Sequence, residues 1–135
     1  VDSPAPHRGK VFSYKDFEFV DGGKSDKLLI LVNEPKGNAD CIFIKTTSKP
    51  KPQSKPGCHS FSNLYVLDAG EDLFKLKTWV QFQEIYPVTC ANLLSVIKAG
   101  EARRIGCLRD QTVRAIINCM RNSPDLSPYE LKLLK

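Results

Sequence analysis

The chain has 135 residues, 41% of them hydrophobic, with 20 basic and 15 acidic side chains and a formal charge of +5. That length fits one domain with a sizeable core, and the charge permits nucleic-acid contact without requiring it. No apolar run nears the roughly 20 residues that span a bilayer, and Val1 to Lys10 holds no apolar stretch of the kind a secretory signal carries, as would also be true of a chain already processed.

Taken in chain order, residues 1–9 read as a polar, proline-bearing tail. Val11 to Phe19 is rich in aromatic residues and predicts a first strand, closed by the turn signal Asp21-Gly22-Gly23-Lys24-Ser25-Asp26. Lys27 to Asn33 carries a continuous apolar run typical of a central strand, and Cys41 to Thr47 is a third strand. These three form an expected antiparallel meander. Leu64 to Leu67 and Leu76 to Tyr86 are further strands, the second ending at Pro87. Ala91 to Ala99 predicts a short helix capped by Thr89 and stopped by Gly100. Arg103-Arg104-Ile105 reads as an edge strand. Asp110 to Asn122 is the strongest helix, since Val113, Ile116, Ile117 and Met120 fall on one face. The last dozen residues form one loose turn or trail off. The expected fold is mainly β: a small barrel over residues 10–122, plugged by the amphipathic C-terminal helix, with 1–9 and 123–135 as extensions.

Five cysteines are present. Cys41, Cys90, Cys107 and Cys119 lie in mainly apolar surroundings and read as buried thiols of a reducing compartment, hence a cytoplasmic protein. Cys58, beside Gly57, reads as an exposed loop residue. With no CxxC pair and only two histidines, a structural zinc site has no support.

The most informative stretch is a junction. Cys41-Ile42-Phe43-Ile44 runs into Lys45-Thr46-Thr47-Ser48 and then breaks into a lysine-proline segment ending at Gly57, and no acidic residue lies between Cys41 and Leu67. Prolines remove backbone donors and stop a sheet. The junction therefore sets three hydroxyls at a strand's rim beside a cationic loop, which suits a phosphate-bearing partner. The plainer reading is a solvated loop whose neighbouring hydroxyls satisfy strand-end backbone groups.

Several landmarks fall in the order of one family: Gly9-Lys10-Val11-Phe12, Lys27-Leu28-Leu29-Ile30-Leu31-Val32, Ile42 to Ser48, Thr78-Trp79-Val80-Gln81-Phe82 and Ile105-Gly106-Cys107-Leu108. In these, over about residues 8–121, the chain resembles the MazF/PemK-like toxins, which share a superfamily with CcdB. The resemblance implies an SH3-like barrel, a homodimer, and a metal-independent, cofactor-free endoribonuclease acting on single-stranded RNA and neutralised by an antitoxin protein. The aromatic first strand and the 64–86 region offer apolar surface for a dimer. The family's Thr/Ser after the third core strand corresponds to Thr46-Thr47-Ser48. Its Arg-Pro pair would fall near Asp26-Lys27 or Lys27-Leu28, and neither residue stands there.

The resulting site expectation assigns catalysis to Thr46 or Thr47 as a phosphate-contacting hydroxyl, to Lys24 and Lys27 in place of the arginine, and to His59 as the proton-transfer group. Ser48, Lys49, Lys51 and Lys55 would hold flanking phosphates, and Phe61 and Tyr65 would stack on an unpaired base. For His59 the plainer reading is an exposed loop side chain, and for the lysines a solvated face. Trp79 reads as core. Three functions compete: a toxin-type endoribonuclease, a catalytically weak RNA-binding or partner-binding regulator of the same fold, and a CcdB-like topoisomerase-inhibiting toxin or other protein-binding module. The missing Arg-Pro favours the second over the first.

Overall fold

β2 (Lys24–Leu31) and β3 (Cys41–Thr47) each carry an unbroken apolar stretch, Leu28 to Leu31 and Cys41 to Ile44, because both faces are covered there. Strand side chains alternate between faces. Ile30, Val32, Ile42 and Ile44 join Val11, Val80 and Phe82 on one face, against Val113, Ile116, Ile117 and Met120 of α2 (Asp110–Arg121). Leu29, Leu31, Cys41 and Phe43 join Phe12 and Tyr86 on the other, against Leu93 of α1 (Cys90–Lys98). A computed structural model describes residues 8–18, 23–35 and 40–134, and the side chains of Glu18, Lys24 and Ser25 lie outside that description.

The remaining strands are β1 (Lys10–Glu18), β4 (Gly57–His59), β5 (Leu64–Leu67), β6 (Thr78–Val88) and β7 (Ala102–Cys107). All described pairings are antiparallel, in the order β4-β5-β6-β3-β2-β1-β7. The meander β1-β2-β3 is as expected. The closed barrel is not: β4 and β7 stand at opposite ends of the order and do not pair, so the sheet stays open. α2 touches both ends instead. Its Val113 abuts Gly9, whose backbone bonds to Leu108 where β1 meets β7, and its Cys119 is joined to Cys58 of β4. A side chain at Gly9 would press to 3.0 Å from Val113, and φ there is +95°, so both space and conformation call for glycine.

Three further differences have local causes. β6 continues through Pro87, because β5 pairs with it only over Thr78 to Gln81 and the far half has a described strand on one side alone. Gly57-Cys58-His59 is a strand rather than a loop, made so by pairing with β5. Residues 123–134 pack on the core: α3 (Pro128–Lys132) is opened by a Ser127–Glu130 capping box, and Leu126 and Leu134 are buried beneath it.

Candidate anion-binding cleft

Where β3 runs out, Thr46, Thr47 and Ser48 line a surface cleft of about 650 Å³ together with Asp26, Lys27 and Leu28 of the adjoining strand and with Lys49. The lining is completed by Leu73, Phe74, Lys75 and Leu76, by Thr78 at the start of the strand paired beside β3, and by Ile105 of β7. Cations and hydroxyls thus share the lining with apolar side chains, of which Leu76 and Ile105 remain exposed.

The three hydroxyls differ. Thr46 is buried, and its Oγ1 donates to the Leu28 carbonyl at 2.8 Å, tying β3 to β2. Thr47 Oγ1 accepts from the Lys49 backbone N–H at 3.1 Å, which leaves its own proton to donate into the cleft. Ser48 is exposed. Lys27 is half-buried, and its ammonium is held below the ordinary lysine value by desolvation first and then by the charges of Lys45, Lys51 and Lys49. Four lysines therefore act on one another at this end of the sheet, with Asp26 beside them in the lining.

The lysine-proline segment is held in place rather than waving in solvent. Trp79 Nε1 donates to the Gln53 carbonyl at 2.6 Å, Lys77 Nζ donates to the Ser54 carbonyl, and the His59 ring bonds to the Lys55 carbonyl at 2.7 Å. Trp79 is buried, as expected of a core residue.

The structure gathers Thr46, Thr47, Ser48, Lys27 and Lys49 at one cleft, with Lys51 close enough to shift Lys27. Lys24 opens β2, and its side chain lies outside the described residues. His59 does not line the cleft; it sits on β4, separated from β3 in the sheet by β5 and β6. Lys55 is exposed and away from the lining. Phe61 is 86% exposed on the short 3-10 helix Ser60–Ser62 and does not line the cleft. Tyr65 is half-buried against the core, and burial followed by the Glu71 charge raises its phenol. Among the described residues, the lining contains no arginine or histidine, and Asp26 is its one carboxylate.

Two features escape sequence reasoning. Leu73, Phe74 and Leu76 join the cleft of β3 from a separate segment, and nothing local in the sequence places them there. Asp72, just before that segment, adopts φ 54°, and its carboxylate accepts from the Arg109 N–H at 2.9 Å and from the Thr112 hydroxyl at 2.5 Å. Asp72 thus caps α2 from a distant loop and fixes that segment to the helix.

The cysteine reading needs correction. Cys119 is not a thiol: it forms a disulfide with Cys58, sixty-one residues away. The cytoplasmic expectation rested on reduced thiols, and a disulfide of this kind is characteristic of oxidising compartments. Cys107 is exposed rather than buried. No helix among the described residues is long and apolar enough to cross a membrane. The chain matches no protein-family model, and comparison with curated proteins gives no match.

Proposed function

We propose that the domain binds single-stranded RNA, with a phosphate at Lys27, Thr47, Ser48 and Lys49 and an unstacked base against Leu76 and Ile105. The observation that carries this reading is a cleft that Lys27 and Lys49 line together with hydroxyls and exposed apolar side chains, with Lys45 and Lys51 near enough to lower Lys27. Phosphates are neutralised by lysines and positioned by hydroxyls, while unstacked bases seek apolar surface.

Binding is favoured over cleavage by what the lining holds. Cleavage by an attacking 2′-hydroxyl needs proton transfer and stabilisation of a charged phosphorane. The cleft has no histidine or guanidinium among its described lining residues, and the Thr46 hydroxyl is bonded to Leu28. One observation keeps a toxin-type endoribonuclease as a second reading: the lowered Lys27 ammonium releases a proton more readily than an ordinary lysine. An SH3-like grouping, a homodimer and an antitoxin partner belong to the same proposal through the resemblance to MazF/PemK toxins.

The test is fluorescence anisotropy on a panel of single-stranded RNAs in EDTA, at graded salt, followed by gel analysis of the same samples. Wild type should bind and leave the RNA intact. Lys27→Gln and Lys49→Gln should weaken binding evenly across sequences, each lowering the log–log salt slope by about 0.7. Absence of binding at low salt overturns the proposal, and cleavage lost in Lys27→Gln selects the second reading.

A further inference from the structure

The sulfurs of Cys41 and Cys90 lie 3.6 Å apart. Their backbones are fixed by separate devices. Cys41 opens β3 and pairs with Val88 of β6, and two residues later Cys90 opens α1, whose start is set by the Thr89 cap on Asn92. Strand pairing and a capped helix thus hold two sulfurs 3.6 Å apart, against the roughly 2.0 Å of a disulfide bond.

We propose that Cys41 and Cys90 are a redox-modification site, forming a disulfide that staples the start of β3 to α1 by thiol–disulfide exchange with a low-molecular-weight disulfide such as oxidised glutathione. The two sulfurs have different roles. Cys41 is fully buried, and burial first, then its contact with Cys90, pushes its thiol up to about 12, so it waits as a protonated thiol. Cys90 is half-exposed at the start of α1, so it is the sulfur that a disulfide in solution reaches first. Cys90 therefore attacks first. Its Sγ loses a proton to solvent, bonds to one sulfur of the glutathione disulfide, and releases one glutathione thiolate, which takes up a proton. The Cys41 Sγ then attacks the Cys90 sulfur of the mixed disulfide and gives up its own proton as the second glutathione leaves as thiol. Two protein thiols are oxidised, one glutathione disulfide is reduced to two thiols, and no further oxidant enters.

The experiment equilibrates the full chain in glutathione buffers of graded redox ratio, quenches with acid and alkylation, and maps peptides by mass spectrometry. The expected result is a linked Cys41–Cys90 peptide lacking two hydrogens, appearing in one transition while Cys58–Cys119 is already joined, with Tm rising across the same transition. Cys41→Ser should trap a stable glutathione adduct on Cys90, because the resolving sulfur is gone. The wild-type map decides the question even if that variant fails to fold. A glutathione adduct on wild-type Cys90 without linkage, linkage of either residue to Cys107, or two unreacted thiols at every ratio overturns the proposal.

Discussion

Trp79 donates its indole N–H to the Gln53 carbonyl oxygen at 2.6 Å. The bond runs from a buried aromatic of β6 to the middle of the lysine-proline segment, so the residue that fills one satellite of the core also sets the course of the loop carrying Lys49 and Lys51. Trp79→Phe keeps an aromatic ring but removes the donor and part of a buried side chain. It should lower stability by more than the about 1 kcal/mol of the hydrogen bond alone, because a cavity is left as well. Hydrogen exchange at Gln53, Ser54 and Lys55 should rise while that of β6 stays protected. Unchanged exchange in the loop would show that its other anchors suffice.

The Cys58–Cys119 disulfide closes a long segment of chain onto α2. By the chain-entropy relation, a closure of this length contributes about 4 kcal/mol. Urea unfolding of the Cys58→Ala/Cys119→Ala double variant should show a loss of that order. Dithiothreitol should destabilise the wild type by more than the double variant, in which the Cys41–Cys90 pair alone can respond.

Asp72 gathers the Arg109 N–H and the Thr112 hydroxyl in a position where its side chain is 3% exposed. Asp72→Ala leaves those donors without their acceptor and should cost about 2 kcal/mol in denaturant titration. Asp72→Asn retains an acceptor oxygen and tolerates the left-handed backbone, so its loss should be smaller. Equal losses would place the effect in the charge on Arg109 rather than in the cap.

Lys27 titrates in the folded chain below the ordinary value of 10.5. In the window between its lowered value and 10.5, the unfolded chain binds more protons than the folded one. This residue's contribution to stability therefore rises with pH across that window, its cost to folding being present below and gone above. Anion affinity runs the other way and should fall before ordinary lysines lose their protons. Replacing Lys45 with Gln should move that fall to higher pH, read from anisotropy at fixed salt. A fall that does not move would remove the mutual repulsion as its cause.

Thr46 and Thr47 should separate in experiment although they are neighbours. Thr46→Val deletes the bond to Leu28 and leaves a buried carbonyl without it, so stability should drop by about 1 kcal/mol with ligand affinity nearly unchanged. Thr47→Ala should do the reverse, weakening RNA binding with little change in the urea midpoint. A common effect on both measurements would show that the strand rim responds as a unit.

The bounds of β3 and β5, the packed face of α2 and the Thr89 cap were legible because each is written in a few adjacent residues: apolar runs bounded by breakers, a period of 3.6, a hydroxyl before a helix. The rim hydroxyls and their lysine neighbours were legible for the same reason, as one continuous stretch from Lys45 to Lys51. β4 was not, since Gly57-Cys58-His59 has no strand pattern and becomes one only through its register with β5. The pairing of Cys58 with Cys119 could not be read either, because five cysteines allow many connectivities and spacing selects none.

What the sequence by itself determined, then, is the local material: antiparallel strands, two amphipathic helices, and a cationic hydroxyl-bearing rim. Tertiary structure alone decided that the sheet stays open with α2 touching both ends, that His59 holds the Lys55 carbonyl instead of lining the cleft with Thr46, and that Leu73, Leu76 and Ile105 line that cleft together with Lys27. The division has a physical cause. Backbone propensity and side-chain periodicity act over a few residues, whereas edge pairing, disulfide partners and the wall of a cleft depend on contacts between segments far apart in the chain, which only the packing of the whole core selects.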